Sequence, residues 1–205
     1  MVEVKGVIEM ASSGKSLNRG DMIELLKKVD AELLLRRNRK NERFKIILVG
    51  GAVMVLYGLR DSSMDLDAYW RARRIQKAID DVAKKNNLKS NWFNKDFKKS
   101  PSFSDAIYDN CKLLLKFDCC DFYAATDELM LCMKLIAGRT RVDKNDFPDI
   151  LNLINRIQQR GEEVTQTYIN TLLTQFYNPV PQLNTAATRL IMSLPFDREE
   201  VKDDK

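Results

Sequence analysis

The sequence predicts an α+β protein in which a mixed sheet is flanked by helices and followed by a helical C-terminal extension. Strand-like apolar runs fall in the first two-thirds of the chain, and amphipathic helical patterns dominate the last third. A chain of 205 residues is long enough to bury a hydrophobic core. We therefore expect an α/β core over residues 1–125 and a helical region over residues 126–205.

The first predicted elements alternate between helix and strand. Apolar spacing predicts a helix from about Asn18 to Arg37, and the run Phe44 to Val49 is typical of a buried strand. A short helix over residues 52–59 and a second strand from Asp65 to about Arg71 should follow. Residues 73–87 carry the next helical pattern.

The later elements are mostly helical. The polar stretch from Leu88 to Ser104 is expected to be a loop, and residues 113–123 are strand-like. Thr126 is a suitable N-cap, with acidic residues in the first turn of the helix that follows. Four helices are predicted in the C-terminal region, over residues 127–137, 145–159, 165–177 and 182–193.

Composition excludes several classes of function. The chain contains no histidine, so catalytic triads, histidine metal sites and a histidine general base are all excluded. The four cysteines form no CxxC pair, and no apolar run reaches membrane-spanning length. Together with the absence of a signal-peptide pattern, this predicts a cytoplasmic protein without a membrane partner. Any chemistry must depend on carboxylates, metal ions, lysine and arginine.

The most informative motif joins a glycine pair to two carboxylates. The strand over residues 44–49 ends at Gly50-Gly51, and Asp65 and Asp67 open the next strand. Residues i and i+2 of a strand share a face, so these carboxylates should project together beside the turn. Paired carboxylates bind hard cations such as Mg²⁺, and glycine lets the backbone approach phosphate oxygens. The motif predicts a metal-dependent site for a nucleoside triphosphate.

A third carboxylate is expected from a neighbouring strand. The segment Phe117 to Tyr123 offers Asp118 and Asp121, which have opposite strand parity, so only one can face the site. We favour Asp121, because it stands near the expected end of the strand, close to the Thr126 cap.

At this point the chain resembles the polymerase-beta-type nucleotidyltransferase superfamily. The resemblance depends on Gly50-Gly51, thirteen intervening residues, Asp65-Leu66-Asp67 and a later strand carboxylate. It implies a nucleotidyltransferase-type sheet and the transfer of a nucleoside monophosphate to a hydroxyl group.

A second block resembles the AbiEii-like and MenT-like branch of that superfamily. Lys134 to Arg139, followed by Asp143, Asp146 and Asp149, is similar to its lysine, arginine and aspartate motifs. The segment Asn91-Trp92-Phe93-Asn94 is similar to one in small bacterial members. The resemblance covers about residues 20–160 and implies a bacterial toxin–antitoxin or phage-defence setting.

The resemblance implies roles for the site residues. Asp65, Asp67 and Asp121 would hold two Mg²⁺ ions, with Mn²⁺ as a substitute. Lys134 would stabilise the leaving pyrophosphate. The remaining expected nucleotide-binding residues are Gly50, Gly51, Ser62, Ser63, Arg139, Asp143 and Asp146.

Each motif also has a structural interpretation. The glycine pair is compatible with an ordinary tight turn, and the two carboxylates with a solvated strand face. Lys134 and Arg139 would also favour the negative end of their helix. The aspartates that follow them lie at i, i+3 spacing and are compatible with salt bridges to nearby cations, as well as with a role as a base.

The acceptor and the partners remain open at the level of sequence. The hydroxyl acceptor could be RNA, tRNA, a protein or a small molecule, and a cognate toxin or antitoxin is an expected partner. The net charge is +5, and the cationic run Lys95 to Lys99 lies beside Trp92, Phe93 and Phe97. This pattern suits RNA, but it is more typical of a solvated surface over core aromatic residues. The alternative function is a non-catalytic nucleotide- or RNA-binding module, such as an antitoxin.

Overall fold

The structure, a computed structural model, describes residues 16–141 and 144–195. These residues divide into two compact units. The first comprises residues 16–99 and 107–126, and the second comprises residues 100–106 together with the described residues from 127 onward. Within the described ranges, seven helices accompany a mixed sheet, which confirms the predicted α+β class.

The first unit is built around a five-stranded mixed sheet with the strand order β5-β4-β2-β7-β6. Strand β2 is central: it pairs antiparallel with β4 and parallel with β7. Strand β5 runs parallel to β4, and β6 runs antiparallel to β7. The strands of this sheet are β2 (Phe44–Val49), β4 (Leu66–Tyr69), β5 (Phe93–Asn94), β6 (Cys111–Lys116) and β7 (Cys120–Ala125). A separate two-stranded ribbon pairs β1 (Leu17–Asn18) with β3 (Ser62–Ser63).

Three α-helices belong to the first unit: α1 (Arg19–Leu34), α2 (Gly50–Leu56) and α3 (Arg73–Lys85). Helix α1 begins at a capping box, in which Asn18 and Asp21 each accept a hydrogen bond from the other's backbone N–H. Its apolar stripe is fully buried. The ion pair from Lys85 to Glu32 connects the helix to α3, and Arg36, two residues after its end, pairs with Asp81 of α3. These contacts fix the helical layer that supports the sheet.

The two faces of the sheet differ in polarity. Alternate residues on one face are buried and apolar: Ile46, Leu48, Leu66, Ala68, Phe122 and Ala124. On the other face Asp67 and Tyr69 of β4 lie opposite Val49 and Ile47 of β2. Because paired residues share a face, Lys45, Asp121 and Tyr123 also belong to this side, which we call the Asp67 face. The Asp67 face therefore combines ionisable and aromatic side chains.

The strand predicted over residues 113–123 is wrong as a single element. The structure forms a hairpin there, with β6 ending at Lys116 and β7 starting at Cys120. The turn is held by buried Asp30 of α1, whose Oδ1 accepts hydrogen bonds from the backbone N–H groups of Cys119 (3.0 Å) and Cys120 (2.7 Å). This long-range contact has no local signature in the sequence, which explains the missed turn.

The described residues of the second unit are helical apart from one short antiparallel pair of strands, β8 (Thr140–Arg141) with β9 (Lys144–Asn145). Its helices are α4 (Asp127–Ala137), α5 (Phe147–Gln158), α6 (Gln166–Phe176) and α7 (Thr185–Met192). Segment 100–106 belongs here because the Tyr177 hydroxyl donates to the Ser102 carbonyl (2.7 Å) and Ser104 Oγ donates to the Phe176 carbonyl (2.6 Å). No helix in the described parts of the chain has the length and apolar content needed to cross a membrane.

Candidate functional site

The glycine turn joins β2 directly to α2. Gly50 has a φ of +61°, in the left-handed region that side chains other than glycine rarely adopt. A Cβ at Gly51 would lie 2.7 Å from Ser63 Oγ and 3.4 Å from Arg60 Nη1. Glycine at position 51 is therefore what allows the hydroxyl of β3 and the arginine to approach this backbone closely.

The two predicted carboxylates lie beside that turn. Asp67 pairs with Val49, the residue before Gly50, and a Cβ at Gly50 would lie 3.6 Å from Asp67 Oδ2. Leu66 and Ala68 are fully buried, whereas Asp65 and Asp67 are partly exposed. The expected alternation is present: both carboxylates are partly exposed, and Asp67 lies next to Gly50.

Ser62 and Ser63 form β3, which is held by antiparallel pairing with β1. Leu17 lies opposite Ser63, and Asn18, the N-cap of α1, lies opposite Ser62. Ser63 is the serine that approaches the glycine turn, and its side chain is nearly buried. Of the two serines predicted to bind phosphate, Ser63 therefore lies at the glycine turn, and Ser62 lies opposite the N-cap of α1.

Two residues at this site were not predicted as site residues from the sequence. Asn94 of β5 lies opposite Asp67, and its Nδ2 is 3.4 Å from Asp65 Oδ2. Arg60 is exposed and reaches Gly51 with its guanidinium group. The sequence signals for these two residues were weak. Asn94 is a polar residue after the apolar pair Trp92-Phe93, and Arg60 stands five residues before Asp65. Neither signal predicts proximity without the strand pairing.

The structure does not bring Asp121 to the other two carboxylates. Asp121 is the second residue of β7 and lies level with Lys45, whereas Asp67 lies level with Val49, at the other end of β2. Four residues along a strand correspond to about 13 Å. Arg43 donates to Asp121 Oδ2 over 2.8 Å and, through this hydrogen bond, lowers the pKa of that carboxyl. The expectation failed because the hairpin makes Asp121 the start of a strand, rather than its end. The alternative, Asp118, lies in the turn.

Lys134 occupies a buried ion-pair cluster in the second unit. Its Nζ lies 2.7 Å from Asp146 Oδ1 and 2.7 Å from Asp149 Oδ2, and its side chain is only 6% exposed. Arg139 also pairs with Asp146, with its Nε 2.7 Å from Oδ2. The salt-bridge interpretation of Asp146 and Asp149 is therefore the one that the structure shows. Asp143, the remaining predicted nucleotide-binding residue, lies outside the described residues.

The electrostatics of this cluster follow from its burial. Burial would raise the pKa of Asp146, but the hydrogen bond from Arg139 and the charge of Lys134 outweigh it and lower the pKa. Asp146 is thus held as a carboxylate between two cations. Arg139 differs from Lys134 in that half of its side chain is exposed.

The donor set beside the glycine turn fits a hard cation shared with a phosphate. No group of three or more histidine, cysteine, aspartate or glutamate side chains that could hold a metal occurs among the described residues. Mg²⁺ is nevertheless commonly bound by one or two carboxylates, with water and substrate phosphates completing its octahedral shell. Asp65 and Asp67 are the two carboxylates that would supply such a site, and the backbone at Gly50 and Gly51 carries no side chain that would keep phosphate oxygens away.

Comparison with known proteins identifies a family for this chain. The family described as "nucleotidyltransferase of unknown function" (DUF6036) matches residues 24–159, about two-thirds of the chain. This range includes the glycine turn, both carboxylates and the Lys134 cluster. No curated protein and no solved structure matches the chain. The match to the family model shows that the chain belongs to this nucleotidyltransferase family.

Proposed function

We propose that this protein transfers a nucleoside monophosphate from a nucleoside triphosphate to a hydroxyl acceptor with the aid of Mg²⁺. The observation that carries the proposal is the placement of Asp67 beside Gly50, at the end of the central strand, with Asp65 two residues before it on the same chain segment. A carboxylate pair next to a side-chain-free turn is suited to a cation bridged to a triphosphate. Family membership supports the same class of reaction.

Each residue at the turn has a distinct role in this proposal. Asp65 and Asp67 would hold Mg²⁺ or Mn²⁺, which supplies charge neutralisation and lowers the pKa of the acceptor hydroxyl. The backbone at Gly50 and Gly51 carries no side chain and would approach the phosphates, with the Ser63 hydroxyl close to Gly51. Arg60 places its guanidinium group near the same backbone and would stabilise the negative charge that grows on the leaving group.

The chemistry is a single displacement at phosphorus. The acceptor oxygen forms a bond to the α-phosphorus while the bond to the β-phosphate oxygen breaks. Pyrophosphate leaves with that electron pair, and the hydroxyl proton is lost to solvent. Because Asp121 is bound to Arg43, the proposal now depends on two carboxylates, and one shared cation is sufficient for it. A second ion would need ligands other than Asp121.

The finer assignment to AbiEii-like or MenT-like proteins also belongs to the proposal. Its support is the resemblance of the Lys134-to-Asp149 block, together with the order of the motifs along the chain. On that basis we infer a toxin–antitoxin or phage-defence role, with RNA or tRNA as acceptor. In this structure Lys134 is neutralised by two carboxylates, so we assign phosphate stabilisation to Arg60 rather than to Lys134.

The test is an incubation with each of four α-labelled triphosphates, Mg²⁺ and total RNA, read by label transfer and pyrophosphate release. Asp65→Asn and Asp67→Asn should each lower the rate at least about a hundredfold, because a metal-held charge contributes several kcal/mol. Asp61→Asn is the matched control: it removes an exposed carboxylate from the same loop. Equal rates for all three variants and the parent protein would refute the proposal.

A second candidate is a non-catalytic RNA-binding module, and cations on the Asp67 face favour it. Lys45 Nζ lies 4.4 Å from the centre of the Tyr108 ring and 4.6 Å from that of Tyr123, and the Arg71 guanidinium lies 3.9 Å from Tyr108. Aromatic and cationic groups in one place suit a phosphodiester chain with unstacked bases. Salt-sensitive RNA binding that is weakened by Arg71→Ala, with no turnover of any triphosphate, would identify this function instead.

A further inference from the structure

The first observation concerns the neighbours of the carboxylate strand. Strand β4 is bordered by β2 and β5, and at the level of Asp67 these strands carry Val49 and Asn94. On the far side of β2 lies β7, where Ala124 pairs with Leu48. The next residue of β7, Ala125, is therefore level with Val49 and Asp67. Val49 and Ala125 are apolar and buried. Asn94 is therefore the polar side chain that the adjacent strands bring to the carboxylates.

The carboxamide of Asn94 is held in one orientation. Its Oδ1 accepts a hydrogen bond from the backbone N–H of Asp96 (2.7 Å), and its Nδ2 donates to the Asn91 carbonyl (3.1 Å). The same Nδ2 faces Asp65 Oδ2 at 3.4 Å. The reverse orientation would set oxygen against oxygen at Asp65 and N–H against N–H at Asp96. The backbone of residues 91–96 thus aims an amide donor at the Asp65 carboxylate.

This donor has a specific consequence for metal binding. Asp65 precedes the first residue of β4, so strand pairing alone does not fix its side chain. A donor on one carboxylate oxygen restricts rotation of the whole group, as hydrogen-bonding partners of metal ligands commonly do. Asn94 itself points its oxygen at Asp96 and away from the carboxylate, so it is placed to act through Asp65.

We propose that Asn94 is a positioning residue that orients Asp65 for binding the cation–triphosphate complex. This inference rests on the proposed function, because it needs Asp65 to be a metal ligand. The side chain that orients the metal ligand thus comes from the short strand β5, which lies in the polar segment between α3 and β6. Its role also explains how two carboxylates can suffice where no carboxylate arrives from β7.

The test measures metal binding without turnover. Mn²⁺ is titrated into the full chain, alone and with each of four α,β-methylene triphosphates, and free Mn²⁺ is followed by electron paramagnetic resonance. Asn94→Leu removes the donor and keeps the number and branching of the side-chain heavy atoms. It should weaken Mn²⁺–triphosphate binding about tenfold. This is the lower end of the effect expected for a residue that orients a metal ligand, because the contact is long. Asn91→Ala is the matched control, since it changes an exposed side chain and keeps the carbonyl that Asn94 uses.

Further variants separate the outcomes. Asn94→Ala repeats the measurement if the leucine variant does not fold, as judged by circular dichroism. If the parent protein binds and Asp67→Asn does not, while both Asn94 variants bind as tightly as the parent, the inference about Asn94 fails and the proposed function stands. If the parent protein and Asp67→Asn bind equally well or not at all, both fail. A lower melting temperature with an unchanged Mn²⁺ dissociation constant would also overturn the positioning role.

Discussion

Replacing Lys134 tests whether this lysine, which the sequence predicts to be catalytic, instead stabilises the fold. Its ammonium lies 2.7 Å from one oxygen of Asp146 and 2.7 Å from one of Asp149, and the two carboxylate side chains are 3% and 6% exposed. Lys134→Met keeps the apolar stem and removes the charge. Removing one partner of a buried ion pair costs about 3–5 kcal/mol, because the other charge stays buried without compensation.

The structure locates the expected effect within that range. Asp146 retains Arg139 after the substitution, through a bidentate contact with both oxygens, whereas Asp149 loses its contact with Lys134. We therefore expect a loss near the lower end, about 3 kcal/mol of unfolding free energy. Adding Asp149→Asn to Lys134→Met should recover part of that loss, because it removes the buried negative charge that Lys134 had balanced.

Lys99 is a matched control for burial. Its Nζ also lies 2.7 Å from an aspartate oxygen, that of Asp96, but the two side chains are 83% and 61% exposed. Lys99→Met should therefore change the unfolding free energy by less than about 1 kcal/mol. Urea unfolding followed by circular dichroism gives the midpoints and the slopes. Equal midpoint shifts for the two methionine variants would refute the structural role and return Lys134 to the candidates for phosphate binding.

Three further predictions follow from single contacts. Gly51→Ala should lose activity, since its Cβ would lie 2.7 Å from Ser63 Oγ, and Ser63→Gly in the same chain should restore part of the activity in the label-transfer assay. Asp30→Ala should lower the unfolding free energy by at least about 2 kcal/mol, because two buried backbone N–H groups lose a charged acceptor; an unchanged urea midpoint would contradict this. Arg43 lowers the pKa of Asp121 in the folded protein. The stability that this ion pair contributes should therefore be fully present above the pKa of an aspartate in the unfolded chain, about 3.9. It should be lost as the pH falls through the lower pKa that Asp121 has in the folded protein. Asp121→Asn and the parent protein should therefore differ in melting temperature by less at pH 3 than at pH 6.

Local patterns were sufficient for most elements of this chain. Strand β2 was predicted with the bounds that the structure shows, because a run of buried apolar residues between polar segments is a local property. Helix α4 was predicted from its acidic first turn and the glycine after its end, and it also has the expected bounds. The hairpin of β6 and β7 was missed, because its turn is stabilised by Asp30, some ninety residues earlier.

The residues of the candidate site also differ in whether local sequence patterns reveal them. Sequence alone identified Gly50, Gly51, Asp65 and Asp67, because a glycine pair and an Asp-x-Asp motif are each readable within a few residues. It could not identify Asn94, whose relation to Asp65 exists only through the parallel pairing of β4 and β5. It also misplaced Asp121, since a carboxylate at the start of β7 and one near its end look alike until the strand boundary is known.

By itself, the amino-acid order determined the class of fold, the reliance on carboxylates in a chain without histidine, and the motif beside which a cation could bind. These are properties of neighbouring residues and of composition. Tertiary structure decided which carboxylates share an end of the sheet and which are neutralised by arginine or lysine. The physical reason is that strand register and ion pairing depend on which distant segments meet. Their contribution to stability arises from contacts between segments, so it cannot be inferred from any one segment.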